Sequence, residues 1–225
     1  MIAFPSTGSI KYMGRPPGAR NADFTAQRAV LVAKLAKRLM ATGGARASMR
    51  ELAATADVSV ATLQHYFRDR AGAMIAVLED VHTGGAEHLA AVASGPTGTL
   101  RASLRWFLDY LSDGLVDYGL DHLHEFGIVA GVDDAAIGPA YLEHVLEPTL
   151  RALEARLERH QAAGQLRPCD LRVAAIQIVA PLLVAVLHQR ALGGAAVRPM
   201  ALDAFVDAHL DALVRAYATA PPRRR

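Results

Sequence analysis

Ser48-Met49-Arg50-Glu51-Leu52-Ala53-Ala54-Thr55-Ala56-Asp57-Val58-Ser59-Val60-Ala61-Thr62-Leu63-Gln64-His65-Tyr66-Phe67-Arg68-Asp69-Arg70 reads as two short helices around a tight turn, followed at once by the start of a third. Ser48 caps the first helix and Glu51 reaches back to it, a Ser-x-x-Glu capping box. Leu52, Ala53 and Ala56 form its inner face, with alanines small enough for close helix crossing. Asp57-Val58 makes the turn, and Val58 plugs the gap between the helices. Ser59 caps the second helix, while Leu63 and Phe67 hold it down. Val60, Ala61, Gln64 and His65 are left facing outward. A short outward-facing helix held against a crossed partner fits a DNA major groove.

Upstream, a helix is expected from about Asp23 or Thr25 to Ala41, with Val30, Leu31, Leu35 and Leu39 on its inner stripe and Gly43-Gly44 as its stop. Residues 1–22 carry scattered Gly, Pro and Ser without a period and read as a mobile basic arm. Within it, Lys11, Arg15 and Arg20 belong either to a plain tail or to an arm that touches phosphate or the minor groove. Downstream, Asp69 caps a fourth helix running to about Ala93, and Ser94 to Gly98 breaks the chain. A fifth helix follows, with Leu100, Leu104, Phe107, Leu111 and Leu115 on one face. A sixth spans about Leu120 to Val129, and a seventh about Ala136 to Ala163, bent at Gly138-Pro139 or Pro148. Gly164 to Pro168 is a turn before an apolar helix from Asp170 to Leu192. A last helix runs from near Pro199 to Tyr217, and residues 220–225 form a tail. The fold expected is all-α, with about nine helices. A helix-turn-helix domain covers residues 23–70 and a second helical domain residues 71–219.

The opening stretch resembles the TetR (tetracycline-repressor-like) family of transcriptional regulators in Leu52-Ala53, Val58-Ser59, Thr62-Leu63, Tyr66-Phe67 and Arg70. Asp57 stands where that family commonly has glycine, and Gln64 where it commonly has tyrosine. Beyond Met74 the likeness is one of length, helix order and a Gly-x-Leu-Arg turn. The resemblance implies hydroxyls of Ser48 and Tyr66 on phosphates and a basic Arg70 aimed at the DNA backbone. It implies a ligand enclosed by the fifth to seventh helices, where Trp106, Phe107, Tyr110, His122, His124, Phe126 and Tyr141 fall. It also implies a two-fold four-helix bundle built from the last two long helices. Their apolar faces carry Val173, Ile176, Val179, Leu183 and Leu187 on one, and Leu202, Phe205, Val206, Leu210 and Leu213 on the other.

Composition agrees with a helical DNA-binding protein. Hydrophobic residues make up 52% and aromatics only 6%, with a net charge of only +2. Any charge for DNA must therefore be local, and Lys11, Arg15, Arg20, Arg28, Lys34, Lys37, Arg38, Arg46, Arg50, Arg68 and Arg70 crowd the first 70 residues. Over the same stretch the acids are Asp23, Glu51, Asp57 and Asp69. Arg50 has a fork suited to a guanine edge, and Gln64 an amide suited to adenine or a phosphate. The single Cys169 allows no internal disulfide, which suits a cytoplasmic protein. The apolar run Val173 to Leu187 is too short for a confident membrane span.

Enzymatic and metal-binding signatures are weak. His122-x-His124 puts two rings on different sides of a helix, Cys169 has no cysteine nearby, and no His-Glu-x-x-His occurs. Ser103 and Ser112 lack an elbow motif, and Asp109, Asp113 and Asp117 recur as a solvated helix stripe. No metal, cofactor or catalytic activity is expected. The expectation is a homodimeric repressor of a palindromic operator, released by a small-molecule effector. The rivals are an all-helical enzyme with a structural helix-turn-helix and an effector-independent helical module.

Overall fold

The computed structural model describes the backbone of residues 19–219 and the side chains of residues 23–219. Most of the expected arm, residues 1–18, and the tail, residues 220–225, lie outside the described residues.

Helix α1 (Ala19–Leu39) starts earlier than the sequence predicts. Ala19-Arg20-Asn21-Ala22 contains neither glycine nor proline, so nothing halts propagation toward the N-terminus. Leu31, Val32, Leu35 and Leu39 are its buried positions, whereas Val30 is 51% exposed and lies on the outer side. The helix stops at Leu39, a little before the expected glycines, and Gly43, at φ 72° in the left-handed region, leads into a 3-10 turn, Gly44–Arg46.

Helices α2 (Met49–Ala56) and α3 (Val60–Phe67) form as their caps dictate. Glu51 N–H donates to Ser48 Oγ at 3.3 Å, and Ser48 N–H donates to Glu51 Oε2 at 2.7 Å. Asp57, at φ 57°, takes the left-handed turn, and Thr62 N–H donates to Ser59 Oγ at 3.0 Å. Leu52, Ala53, Ala56, Leu63 and Phe67 are buried, as their spacing predicts. Asp69 caps α4 (Arg70–Ser94) through Gly72 N–H at 2.8 Å.

Next come α5 (Leu100–Val116) and α6 (Leu120–Asp133). Helix α6 runs four residues past the expected Val129, through Gly131, which packs against Gly138 at a close crossing where a Cβ on Gly131 would lie 2.9 Å from Gly138 Cα. The long seventh helix is α7 (Ile137–Tyr141), a π-helical segment (Leu142–Leu146) and α8 (Glu147–Ala162) run together. The π segment sits just before Pro148, which has no N–H to donate, and Glu147 N–H reaches five residues back to Leu142 O. Then follow α9 (Leu171–Arg190), a short α10 (Gly194–Val197) that the sequence reading missed, and α11 (Leu202–Tyr217).

Two apolar cores result. The first joins α1, α2 and α3 to the start of α4 and to Leu123, Phe126, Ile137 and Tyr141 of α6 and α7, so it runs across residue 70. The second is built from α5, α8, α9 and α11. By length and composition α9 could cross a membrane, but it packs against α5, α6, α8 and α11 as a core helix.

That packing takes part of the expected dimer faces into the subunit's own core. Val179, Leu183, Val206, Leu210 and Leu213 are buried within the subunit, because α9 and α11 pack against each other and α5 through those positions. Leu187, Leu202 and Phe205 are half-buried. The outward stripe of α9 is Val173, Ile176, Ala180 and Val184, at helical spacing, and α11 turns Ala204, Ala208 and Ala212 outward.

Candidate DNA-binding surface and ligand cavity

Capping fixes α2 and α3 rigidly and leaves Arg50, Ala61, Gln64 and His65 exposed on their outer side. Val60 and Tyr66 are half-buried and pack partly on the core. The Tyr66 ring stacks on Phe24 at 4.6 Å, and His65 meets Phe24 edge-on at 5.7 Å. Phe24, which sequence reasoning did not single out, thereby ties the first turns of α1 to α3. The hydroxyls of Ser48 and Ser59 both serve as caps, and Ser48 Oγ also donates to Glu51 Oε2 at 2.9 Å. These Ser48 hydrogen bonds, with Arg38 nearby, hold the Glu51 carboxyl below its usual range.

Several cations of this end are already engaged. Lys34 Nζ donates to the α2 terminal carbonyl of Ala56 at 2.8 Å, Arg28 pairs with Glu79 at 3.4 Å, and Arg38 with Glu51 at 3.6 Å. Arg70 turns inward: its Nε donates to Ala47 O at 2.8 Å and its Nη2 to Ala45 O. It clamps the 3-10 turn to α4 instead of reaching outward. Arg46, Arg50 and Arg68 remain exposed, with no ion pair among the described residues.

A cavity of about 690 Å³ opens between α4, α5, α6, the π segment and α8. Leu115 and Leu123 lie at its buried floor, and Asp80, His88, Asp113 and Tyr118 at its exposed mouth. His82 of α4 and His144 of the π segment face each other with ring centroids 5.8 Å apart. Of the expected ligand contacts, Tyr110 and His124 line the cavity. Phe107 and Phe126 are instead fully buried core, since both rings point into the packed helix layers. Trp106 lies outside, stacked on Tyr110 at 5.6 Å, and His122 faces Glu125 at 3.5 Å. Tyr141 stands behind the wall, its hydroxyl sharing a 2.7 Å hydrogen bond with His124 Nδ1. The contribution of α4 was missed, although Gly84-Gly85 in mid-helix was a signal. Each such glycine costs a helix about 1 kcal/mol relative to alanine, and a Cβ at either position would meet nothing within 4 Å.

Burial pushes the His124 imidazole down to about 4, partly opposed by the Asp121 carboxylate. Asp121 itself is buried and paired with Arg190 Nε at 2.5 Å, joining α6 to α9. Because the folded-state value is depressed, the unfolded chain takes up the proton first as pH falls. The stability contribution is therefore complete above 6.5 and lost as pH falls toward about 4. Its size is up to about 3 kcal/mol. Burial lowers His160 as well, which adds to the same slope. Urea titrations at pH 7 and pH 5 should show the loss in wild type and a shallower one in His124→Asn. An equal slope in both would show that His124 does not carry it.

Residues 33–77 match the family model for bacterial regulatory proteins of the tetR family. Residues 119–219 match that for the C-terminal domain of AefR-like transcriptional repressors. The chain belongs to the TetR family. A TetR-family transcriptional regulator from Mesorhizobium loti is 18% identical with a TM-score of 0.69, over 87% of this chain and 98% of that one. SmeT, the repressor of the Stenotrophomonas maltophilia multidrug efflux pump SmeDEF, is 20% identical with a TM-score of 0.60, over 90% and 96%. A SmeT–triclosan complex aligns at 23% identity and a TM-score of 0.58, over 86% and 92%. No curated protein matches the chain. The TetR-family fold is thus a helix-turn-helix end joined to a helical ligand-binding domain, as the opening stretch led one to expect.

Proposed function

We propose that this TetR-family regulator is a cytoplasmic, homodimeric repressor that binds a palindromic operator and is released by a small molecule held in the 690 Å³ cavity. The role requires no catalysis, metal or cofactor. The observation that carries it is the doubly capped α2–α3 pair, whose exposed outer face presents Arg50, Ala61, Gln64 and His65 together. In this reading α3 enters the major groove, with Ser48, Ser59, Val60 and Tyr66 contacting it at the margin. Arg70 supports the surface by holding the 3-10 turn. Residues 23–70 form the DNA-binding domain and residues 71–219 the effector-binding and dimerisation domain.

The outward stripe of α9 and the small outer face of α11 support a two-fold interface, since small residues let partner helices approach closely. Two-fold symmetry then sets half-site centres about one helical turn, or a multiple, apart. SmeT, with the same fold, is a repressor and is seen with triclosan, which supports a small-molecule effector here.

A gel shift with DNA flanking the gene tests the reading. Arg50→Ala should weaken specific binding by about 1–3 kcal/mol and relax preference at one base pair per half-site. Arg70→Ala should lower stability and weaken operator binding, without the flatter salt slope that loss of a phosphate contact gives. If Arg50→Ala binds the mapped operator like wild type, or Arg70→Ala flattens the slope in a fully stable protein, these roles are wrong.

A further inference from the structure

We infer that the cavity selects an organic cation, an apolar body carrying an amine, over an anion of the same shape. This rests on reading the cavity as the effector site. Asp80 of α4 and Asp113 of α5 reach its mouth from two helices, both exposed and without a side-chain partner among the described residues. Among the described residues, no lysine or arginine lines the cavity. An entering carboxylate would meet two like charges and, apart from the imidazoles of His82, His88, His124 and His144, no basic group, while an ammonium would meet both carboxylates favourably. Tyr110 and Tyr118 add aromatic faces, which attract cations through the ring quadrupole.

Deeper in, the wall changes character. Leu115 and Leu123 are almost completely buried and offer an apolar floor for the body of the guest. His124 already shares its Nδ1 with the Tyr141 hydroxyl, so its Nε2 is the ring nitrogen left for a guest. Gly84 and Gly85 keep the α4 side of the cavity open, since side chains there would project into empty space.

A matched fluorescent set tests charge selection: 9-aminomethylanthracene, 9-anthracenemethanol and anthracene-9-carboxylate, titrated into the full-length protein at pH 8, where free imidazole is neutral. The amine should bind about tenfold or more tighter than the carboxylate, with the alcohol between them. Asp80→Asn and Asp113→Asn should each shrink the gap, and the double variant should close it, with melting temperature reporting the fold. Gly84→Leu should weaken the amine by filling its site. Equal or tighter carboxylate binding, a gap that survives the double variant, unchanged amine binding by Gly84→Leu, or no binding of any probe at millimolar concentration would overturn the proposal. Operator release is scored separately. An amine that binds selectively but leaves DNA bound sinks the effector reading and leaves charge selection standing.

Discussion

A glutamate at Val184 should give a folded monomer that no longer holds its operator, whereas a glutamate one residue earlier, at Leu183, should unfold the protein. Val184 is 62% exposed on the outer side of α9, and Leu183 is 7% exposed in the second core. Leu183→Glu places a carboxylate among apolar side chains with no partner, a change that costs about 4 kcal/mol or more. Val184→Glu alters only outward surface, so the isolated subunit should change by about 0.5 kcal/mol or less. In the proposed dimer the same position meets its two-fold mate, and two carboxylates would be brought together in an apolar interface. Loss of the second DNA-binding end should then reduce operator affinity by about 10²–10⁴-fold, because the two half-sites no longer bind as one ligand. Sedimentation velocity, far-UV circular dichroism and gel shift separate the outcomes. A Val184→Glu protein that remains a dimer would move the interface elsewhere.

The second large effect concerns Arg156, which is only 3% exposed. Its Nε donates to Ser103 Oγ at 2.7 Å, its Nη1 to Val92 O at 3.0 Å and its Nη2 to Pro96 O at 2.7 Å. The guanidinium also lies over the Trp106 ring at 4.6 Å. One side chain of α8 thereby fastens the end of α4, the loop after it and α5. Arg156→Met keeps much of the apolar stem, strands the buried Ser103 hydroxyl and Val92 carbonyl, and loses the bond to the more exposed Pro96 carbonyl. The expected loss is about 3 kcal/mol, since hydrogen bonds to a charged donor are worth about 1.5–3 kcal/mol each and part is recovered by relaxation. For a chain of this length that lowers Tm by about 6–12 °C. Arg156→Lys should rescue little, because a point charge cannot reproduce the planar fork. Trp106 is the only tryptophan, so its emission reports the local change directly while calorimetry reports the global one. An Arg156→Met protein with wild-type Tm would show that the clamp contributes nothing net.

What the sequence disclosed, and what it withheld, follows from the range of the forces involved. Ser48, Asp57, Ser59 and Asp69 act on backbone groups three or four residues away, so their roles were legible before any fold was known. Phe67 and Leu63 were legible for the same reason, lying on the one apolar face of a short helix. In α9 that logic fails, because the helix is apolar nearly all round. Composition cannot distinguish Leu183, buried in the second core, from Val184, facing outward, until the neighbours are placed. The inward bonds of Arg70 were not legible, because a long side chain on the surface of one helix can curl back to carbonyls 23 and 25 residues earlier. The cavity was half-read. Its aromatic side, Tyr110 and His124, announces itself, but the α4 side contributes by what it lacks, and an empty volume leaves only an indirect trace in a sequence.

That trace has a kinetic meaning. Gly84 and Gly85 sit in the middle of α4, the helix whose first residue clamps the DNA-facing end and whose later part shares the second core through Val92. No side chain covers the backbone there, and glycine holds a helix less firmly than any residue but proline. The amides around this pair should therefore exchange their hydrogens with solvent sooner than those near Met74 or Val92, which open only when a core opens. A guest lodged against the glycines would slow that exchange. The cavity's occupancy would then be written into the local opening rate of a helix that reaches both cores.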